Sequence, residues 1–369
     1  MKRIIINGAN GYVASNFIRE LLEMEYEVIA LVRGTQKYSA EERMNDALTE
    51  IAGGQYIYNN LKIYNYSLLD EDFGLAEGQA DKIFNKEADY FHFAASLKYD
   101  MKSREEIFKT NVGGLTNSLE VFTRYAQPGS RFFFISTAYS CGITREPFKE
   151  RFYDNEDISH FRNYYEQSKR FAENVVKTYV ETKRITASII RLSQVVGHNK
   201  TGVTATDYGI FDFARRIYSL AHRNPHKALR VKVDPAATQN LIPIDTVTGY
   251  LVRMLQLREL PVIFNLTARQ PVRNEIILNS LSNLLPVRII ADKSLRQEEM
   301  NPYERIISIG MSFTGSYTNT DIHFETGNLD KLRLEERNEP TDQSVHRMLE
   351  YFINKISGKK KDNVYTTVS

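Results

Sequence analysis

The sequence has little that would mark a secreted, membrane-bound or metal-dependent protein. Cys141 stands alone among 369 residues. No internal disulfide can form, and the chain is expected in a reducing, cytoplasmic compartment. Charge of one sign is lacking too: 48 Lys and Arg offset 46 Asp and Glu, a formal net charge of +2. That balance leaves no global electrostatic footprint for nucleic acid or a membrane surface. No apolar run nears the ~18–20 residues of a membrane helix. The chain is expected to enter a strand at Arg3, with no charged-then-apolar leader before it. The seven histidines are scattered. Only His222 and His226 stand at helical spacing, and Pro225 interrupts them, so no metal centre is expected. Internal repeats and low-complexity linkers are absent. What is there, 42% hydrophobic and 25% charged residues, is the composition of an ordinary folded protein.

Short apolar, β-branched runs alternate with longer stretches of helical periodicity. Strands are predicted at 3–7, 27–32, 61–64, 90–93, 131–136 and 185–191. Met44, Leu48 and Ile51 mark one intervening helix; Phe108, Val112, Leu115, Leu119 and Phe122 mark a longer one. Strands apolar at nearly every position, separated by helices, predict an α/β fold: a Rossmann-type, doubly wound parallel sheet covered on both faces. After Val196 the rhythm changes. Residues 197–208 are polar and read as a loop, followed by a helix near 211–222. Short strands near 262–266 and 287–290 flank a helix over 272–284, and a last amphipathic helix runs through Val345, Met348, Leu349, Phe352 and Ile356. The expected organisation is a sheet domain over 1–196 and a smaller mixed α/β lobe over 197–357, which can return strands to the main sheet. The basic stretch Gly358–Asp362 opens a solvated, flexible tail, 358–369.

Gly8-Ala-Asn10-Gly11-Tyr12-Val13-Ala14 closes the first strand and opens the first helix. A tight glycine turn there lets backbone N–H groups and the helix N-terminus approach a pyrophosphate. The second strand ends Ala30-Leu-Val-Arg33-Gly34. An acid at its end would bind the ribose 2′-OH of NAD, whereas the Arg33 guanidinium suits a 2′-phosphate; Arg43 offers a second cation. NADPH is therefore expected over NADH.

Tyr165 and Lys169 lie one helical turn apart, which predicts a phenol acidified by a neighbouring ammonium. Spacing alone does not choose this pair, because Tyr58/Lys62, Tyr179/Lys183 and Tyr351/Lys355 share it. Position does. Only Tyr165/Lys169 follows a strand that ends in hydroxyls, Arg131-Phe-Phe-Phe-Ile-Ser136-Thr137, which delivers Ser136 and Thr137 to the carboxyl edge of the sheet. A hydroxyl there would bind a substrate carbonyl while Tyr165 protonates it. Cys141, close to Thr137, would be a candidate nucleophile, but no histidine is visibly placed to activate it; a small buried residue is the simpler reading.

Together these features resemble the extended short-chain dehydrogenase/reductases. His92-Phe-Ala94-Ala95-Ser96 is similar to the family's fourth-strand motif beside the adenosine, and Thr110-Asn111-Val-Gly-Gly-Leu-Thr-Asn117 to its structural asparagine segment. The resemblance implies a catalytic set of Asn111, Ser136, Thr137, Tyr165 and Lys169, with Tyr165 the acid, Lys169 on the nicotinamide ribose and Thr137 on the carbonyl. It implies cofactor contacts at Gly8, Asn10, Gly11, Tyr12, Val13, Arg33, Arg43, Ser67, Leu68, Ala94, Ala95, Ser96, Asn111, Tyr165, Lys169, Leu192 and Val195. The last two come from Arg191-Leu-Ser-Gln-Val-Val-Gly197, which resembles the segment lining the nicotinamide. Asn240-Leu-Ile-Pro-Ile-Asp245 resembles a segment of the substrate lobe.

A narrower resemblance, to the thioester-reductase and fatty-acyl reductase branch, rests on Leu31-Val-Arg33, Ser39-Ala-Glu-Glu-Arg43, Asp72-Phe-Gly-Leu75, Ala94-Ala-Ser-Leu-Lys-Tyr99, Ser136-Thr-Ala-Tyr139 and Phe161-Arg-Asn-Tyr-Tyr165-Glu-Gln-Ser-Lys169. It implies reduction of a CoA- or carrier-bound acyl thioester to aldehyde or alcohol with NADPH, by a monomer or homodimer. Ser67 departs from that branch, which has an aspartate near the adenine, and Ala14 replaces a glycine. Two other functions fit the same fold. A nucleotide-sugar epimerase, dehydratase or reductase is one; against it, Ala138 and Tyr139 follow Thr137 where dehydratases have an acidic pair, and Arg33 replaces the acid of epimerases. A non-catalytic NADPH-binding sensor is the other, though such proteins characteristically lose the Tyr/Lys pair.

Overall fold

Five consecutive buried residues, Arg3–Asn7, form β1, and its three isoleucines suit a strand covered on both faces. The computed structural model describes residues 2–24, 26–54, 58–223, 228–310, 317–318, 321–335 and 337–358. After β1 come α1 (Tyr12–Glu23), β2 (Glu27–Val32), α2 (Ala40–Ala52), β3 (Leu61–Asn65), α3 (Gln79–Phe84), β4 (Ala88–His92), α4 (Arg104–Phe108), α5 (Gly114–Tyr125), β5 (Arg131–Thr137), α6 (Tyr164–Glu181) and β6 (Thr186–Leu192). The remainder forms β7 (Gln194–Val196), α7 (Ile210–Arg223), β8 (Ala228–Val231), β9 (Thr238–Gln239), β10 (Leu241–Pro243), α8 (Ile244–Gln256), β11 (Ile263–Leu266), β12 (Val272–Arg273), α9 (Asn274–Leu284), β13 (Arg288–Ala291), α10 (Pro302–Gly310), α11 (Gly327–Asp330) and α12 (Asp342–Ile356).

Seven strands make one parallel sheet in the order β11-β6-β5-β4-β1-β2-β3. The order reverses between β1 and β4, so their carboxyl ends open the crevice where ligands of such sheets bind. Two compact units result: one built from the described residues of Met1–Ser193, Thr246–Thr267 and Ile322–Arg337, the other from those of Gln194–Asp245, Ala268–Asp321 and Asn338–Ser369. The strand expected near 262–266 is one that returns to the main sheet, where β11 pairs with β6.

The first unit's core is aromatic. Phe91 stacks on Phe133 from the neighbouring strand with ring centroids 4.4 Å apart and 7° between planes, and Phe17 of α1 tilts against Phe91 at 4.9 Å. On the opposite face, Tyr90 stacks on Phe132 at 5.2 Å. In the second unit, α7, α9 and α12 bury Phe211, Ile217, Leu281, Val345, Met348 and Phe352 together. Local chemistry sets the ends of elements. Ser39 accepts from the Glu42 N–H at 3.1 Å and its own N–H donates to the Glu42 carboxylate at 2.7 Å, which starts α2; Gly53, at φ +70°, stops it.

Two predicted helices need correction. The helix predicted from 272 begins at Asn274, because Val272 and Arg273 pair antiparallel with Gln239 and Thr238; a β-branched residue directly after Pro271 favours the extended chain. The long helix marked by Phe108 and Phe122 is α4 and α5 joined by a π-helical turn, Lys109–Gly113. Pro225, His226 and the tail beyond Gly358 lie outside the described residues.

Phe133→Ala empties the centre of this stack. It is expected to lower the unfolding free energy by about 3–5 kcal/mol, read as a lower midpoint in urea unfolding at unchanged slope.

Candidate active site

The turn after β1 accepts only glycine. Gly8 has φ +61°, and a Cβ there would lie 2.8 Å from the Ala94 nitrogen and 2.9 Å from its Cα. Gly11 donates to the Gly8 carbonyl at 2.9 Å, and α1 starts one residue later with no side-chain cap and no acid in its first turn. An uncapped helix start behind a glycine turn suits an anion. Asn10, Tyr12 and Val13 line this turn, Tyr12 and Val13 in the first turn of α1.

Two buried asparagines shape the neighbouring loop after β4. Asn7 Oδ1 accepts from the backbone N–H groups of Phe93 (2.9 Å) and Ala94 (3.1 Å), while its Nδ2 donates to His92 Nδ1 at 2.9 Å. Burial pulls His92 down to about 3, so its imidazole is neutral. Asn111, in the π-helical turn, accepts from the Ser96 N–H at 2.7 Å and donates to the Ser96 carbonyl at 3.1 Å and to Ser168 Oγ at 2.9 Å. It therefore ties the loop Ala94–Ser96 to α6, a constraint one π-bulge at a functional site can supply. Asn7 escaped the sequence reading. Its signal was a polar residue ending an otherwise apolar strand just before Gly8.

At the end of β2, Arg33 is exposed, and its backbone carbonyl accepts from the Arg43 guanidinium of α2, which places Arg43 beside the end of β2. Ser67 and Leu68 follow β3. Ser67 donates its N–H to the Phe73 carbonyl at 2.7 Å, and Leu68 packs over Gly114 of α5, where a Cβ would meet its Cδ2 at 2.6 Å. Tyr66 accepts from the Gly8 N–H at 3.2 Å, and burial pushes its phenol up to about 12. The glycine turn and the uncapped helix start fit the pyrophosphate of a dinucleotide.

α6 starts because Asn163 Oδ1 accepts from the Glu166 N–H at 3.0 Å. The buried Glu166 carboxylate in turn accepts from the Arg162 N–H at 3.1 Å, and Arg162 donates to the Gly142 carbonyl at 2.8 Å. This arrangement fixes the helical turn that carries Tyr165. Lys169 is 2% exposed; its Nζ donates to the Ile135 carbonyl at 2.9 Å and stands 4.8 Å over the Phe134 ring. Burial pulls its ammonium down to about 7. The expected acidified phenol is corrected here: burial, and secondarily the Glu166 charge, raises Tyr165 well above the ordinary tyrosine range.

At the end of β5, Thr137 Oγ1 accepts from the Tyr139 N–H at 3.2 Å and donates to the Leu192 carbonyl at 3.4 Å. Ser136, expected beside it on the substrate carbonyl, instead gives its hydroxyl to buried Glu173 at 2.6 Å. Glu173 was not foreseen, though it stands one turn beyond Lys169 on the same helical face. Leu192 ends β6, whereas Val195 lies in β7 of the second unit, paired with Ile242. Cys141 is buried, donates to the Gly142 carbonyl at 3.3 Å and is pushed up to about 12, which leaves no thiolate at neutral pH. Among the described residues, no three His, Cys, Asp or Glu side chains group as a metal site, and no helix is long and apolar enough to cross a membrane.

Fold and site define an extended short-chain dehydrogenase/reductase with an NAD(P)-binding sheet. A family model described as "Male sterility protein", of the NAD_binding_4 type, matches residues 6–250, and the chain belongs to that family. The terminal R domain of the myxalamid PKS-NRPS pathway superposes with TM-score 0.77 at 18% identity, over 98% of this chain and 92% of that one. A thiolation-reductase di-domain of an archaeal non-ribosomal peptide synthetase gives 0.73 at 17%, over 97% and 76%. UDP-glucuronic acid 4-epimerase from Bacillus cereus gives 0.68 at 14%, over 98% and 99%. In sequence, the chain is similar to the nonribosomal peptide synthetase asaC of Aspergillus flavus, 23% identical over 263 residues that are 68% of this chain and 24% of that protein. It is also similar to peramine synthetase ppzA of Metarhizium rileyi, 28% identical over 189 residues, 47% of this chain and 6% of that protein. The chain thus spans a quarter or less of the length of these two relatives.

Lys169 also gives a pH dependence. Its folded pKa lies below the unfolded value, so between about 7 and 10.5 the unfolded chain binds more protons and stability rises with pH. Urea unfolding of the wild type from pH 7 to 8.5, below the ordinary thiol range, is expected to show a rise that Lys169→Met lacks. Equal slopes would refute the lowering of the Lys169 ammonium by burial.

Proposed function

We propose that this chain is an NADPH-dependent reductase of acyl thioesters, CoA- or carrier-bound, yielding aldehyde or alcohol with Tyr165 as proton donor. The observation that carries the reading is the buried Lys169 ammonium bonded to the Ile135 carbonyl, two residues before Thr137 and one helical turn after Tyr165. A cation held there serves an anionic dinucleotide and a developing oxyanion at the same sheet edge. The likeness to R domains of PKS-NRPS and non-ribosomal peptide synthetase systems supports a thioester over a sugar.

Gly8, Gly11 and the first turn of α1 would hold the pyrophosphate, Arg33 and Arg43 the 2′-phosphate, and Lys169 the nicotinamide ribose. Bound there, NADPH supplies a hydride to the carbonyl carbon. Phosphate charge favours the ammonium form of Lys169, offsetting the burial that pulls it down. Tyr165 keeps its proton at neutral pH, as a donor must, and passes it to the carbonyl oxygen as negative charge develops there. Thr137, whose single hydroxyl proton goes to the Leu192 carbonyl at 3.4 Å, would turn that proton to the same oxygen when substrate binds. Once reduced, a thioester carbon bears oxygen and sulfur together, and loss of the thiol leaves the aldehyde.

Following NADPH and NADH consumption with acyl-CoAs, acyl-carrier thioesters and UDP-sugars tests the reading. Thioester turnover with NADPH is expected; turnover of a UDP-sugar alone would overturn it in favour of a nucleotide-sugar enzyme. Arg33→Ala is expected to cut the preference for NADPH by about 10–100-fold, the worth of one charge-assisted hydrogen bond, and an unchanged preference would remove Arg33 from the 2′-phosphate. Tyr165→Phe is expected to lower kcat by about 10²–10⁴-fold at little changed KM, and full turnover would end its role as the acid.

A further inference from the structure

Behind the proposed proton donor lies a buried charge cluster that the reaction itself does not touch. Tyr165, Lys169 and Glu173 follow at four-residue spacing on α6, so their side chains share one helical face. Glu173 is 1% exposed, yet its carboxylate takes bonds from three elements. Ser136 Oγ at the end of β5 donates at 2.6 Å, and Ser140 Oγ in the following turn donates at 2.9 Å. Arg191 of β6, fully buried, donates through Nε at 3.1 Å and Nη2 at 2.6 Å. The remaining guanidinium capacity of Arg191 goes to the Lys149 and Arg151 carbonyls, both at 3.0 Å.

We infer that Glu173 is a positioning residue of the reductase site: its carboxylate keeps the Lys169 ammonium charged and, through Ser136, holds Thr137 at the end of β5. The inference rests on the reductase reading above and extends it to a residue that touches neither substrate nor cofactor.

The balance of neighbours is the reason. Lys169 is faced by Tyr165 and Glu173 from α6, by neutral His92 from β4, and by the Ile135 carbonyl and Phe134 ring from β5. Beyond Glu173 stand two more buried cations, Arg191 of β6 and Arg170 of α6. The other buried acid of α6, Glu166, pairs with Arg162 and faces Tyr139 and Cys141. Glu173 is therefore the one carboxylate among the described groups that opposes the burial of Lys169. A neutral residue in its place leaves Lys169 and Arg191 with no anion between them in a low-dielectric interior, Arg170 retaining Glu156 at 3.8 Å, and the lysine is the one that can shed its proton. The same carboxylate explains why Ser136 and Thr137, adjacent hydroxyls, have different tasks: one is an anchor and the other stays at the substrate edge.

The test titrates Lys169 by NMR in full-length protein carrying ¹³C,¹⁵N-lysine, the signal assigned by its loss in Lys169→Met, and measures kcat/KM for an acyl-CoA with NADPH against pH. Glu173→Gln is expected to lower the Lys169 midpoint and the alkaline limb of the profile together, by about one pH unit or more, with roughly 10-fold loss at pH 8 and much less at pH 6. Glu173→Asp keeps the charge at shorter reach and is expected to shift both by less; it carries the test if the Gln variant does not fold. A purely structural role would lower the melting temperature and scale activity down equally at every pH. Midpoint and limb unmoved in both variants would overturn the inference. Should the wild type reduce no thioester while the NMR midpoint moves as stated, the reductase reading falls and the charge-holding role of Glu173 stands.

Discussion

A parallel sheet covered on both faces has room for polar side chains only at its strand ends, and the chemistry of this protein is arranged by that constraint. Strands β1, β4 and β5 are buried along their whole length. Each carries polar residues at its carboxyl end, Asn7, His92, Ser136 and Thr137, and a charged one near its start, Arg3, Asp89 and Arg131. Parallel pairing in register brings these ends side by side, Asn7 opposite His92 on one pair and Thr137 opposite Leu192 on another. The hydrogen bonds that buried polar groups require then become the struts of the site. Asn7 holds the loop after β4, Asn111 ties that loop to α6, and Glu173 ties α6 to β5 and β6.

Close approach is the second consequence. With β4 directly beside β1, the loop leaving β4 passes over the turn leaving β1, and only the missing Cβ of Gly8 lets the Ala94 backbone through. The same economy recurs at Gly142, at φ +66°, where a Cβ would sit 2.3 Å from the His160 carbonyl. That contact brings the segment before α6 against the turn after β5, where the Gly142 carbonyl receives Arg162. Two glycines far apart in sequence thus set the floor under the dinucleotide and the approach of α6 to the end of β5.

Much of this was legible in the sequence because it is written in short-range pattern. Apolar runs bounded by turn chemistry located the six strands of the first 193 residues, β1 and β2 to the residue, and a glycine turn after the first strand marked the candidate cofactor edge. Position, rather than spacing, chose Tyr165 and Lys169 among four similar pairs as the candidate pair. What stayed hidden depends on contacts between distant residues. Nothing local says that Ser136 faces an acid 37 positions away, that β11 returns to lie beside β6, or that a helical pattern through Phe108 and Phe122 contains a π-helical turn. The acidified phenol failed for the same reason. Two side chains one turn apart suggest a charge interaction, but the sign of the shift was decided by burial, which is a property of the packed chain.

The near-neutral composition also takes on meaning only in three dimensions. Burying a cation is costly unless a partner and hydrogen bonds offset it, yet one face of α6 and the strand beside it bury Lys169, Arg170 and Arg191. Glu173 partners Arg191 directly, at 2.6 Å, while Lys169 bonds the Ile135 carbonyl, stands over the Phe134 ring and feels the Glu173 charge one helical turn away. Of the three cations, Lys169 is the one with no carboxylate bonded to it. On the reductase reading proposed above, an anionic dinucleotide would offset that deficit when it binds, and the cost of burial would become part of the affinity for cofactor. A protein with the same fold but a second acid near Lys169 would be more stable empty and would gain less from binding.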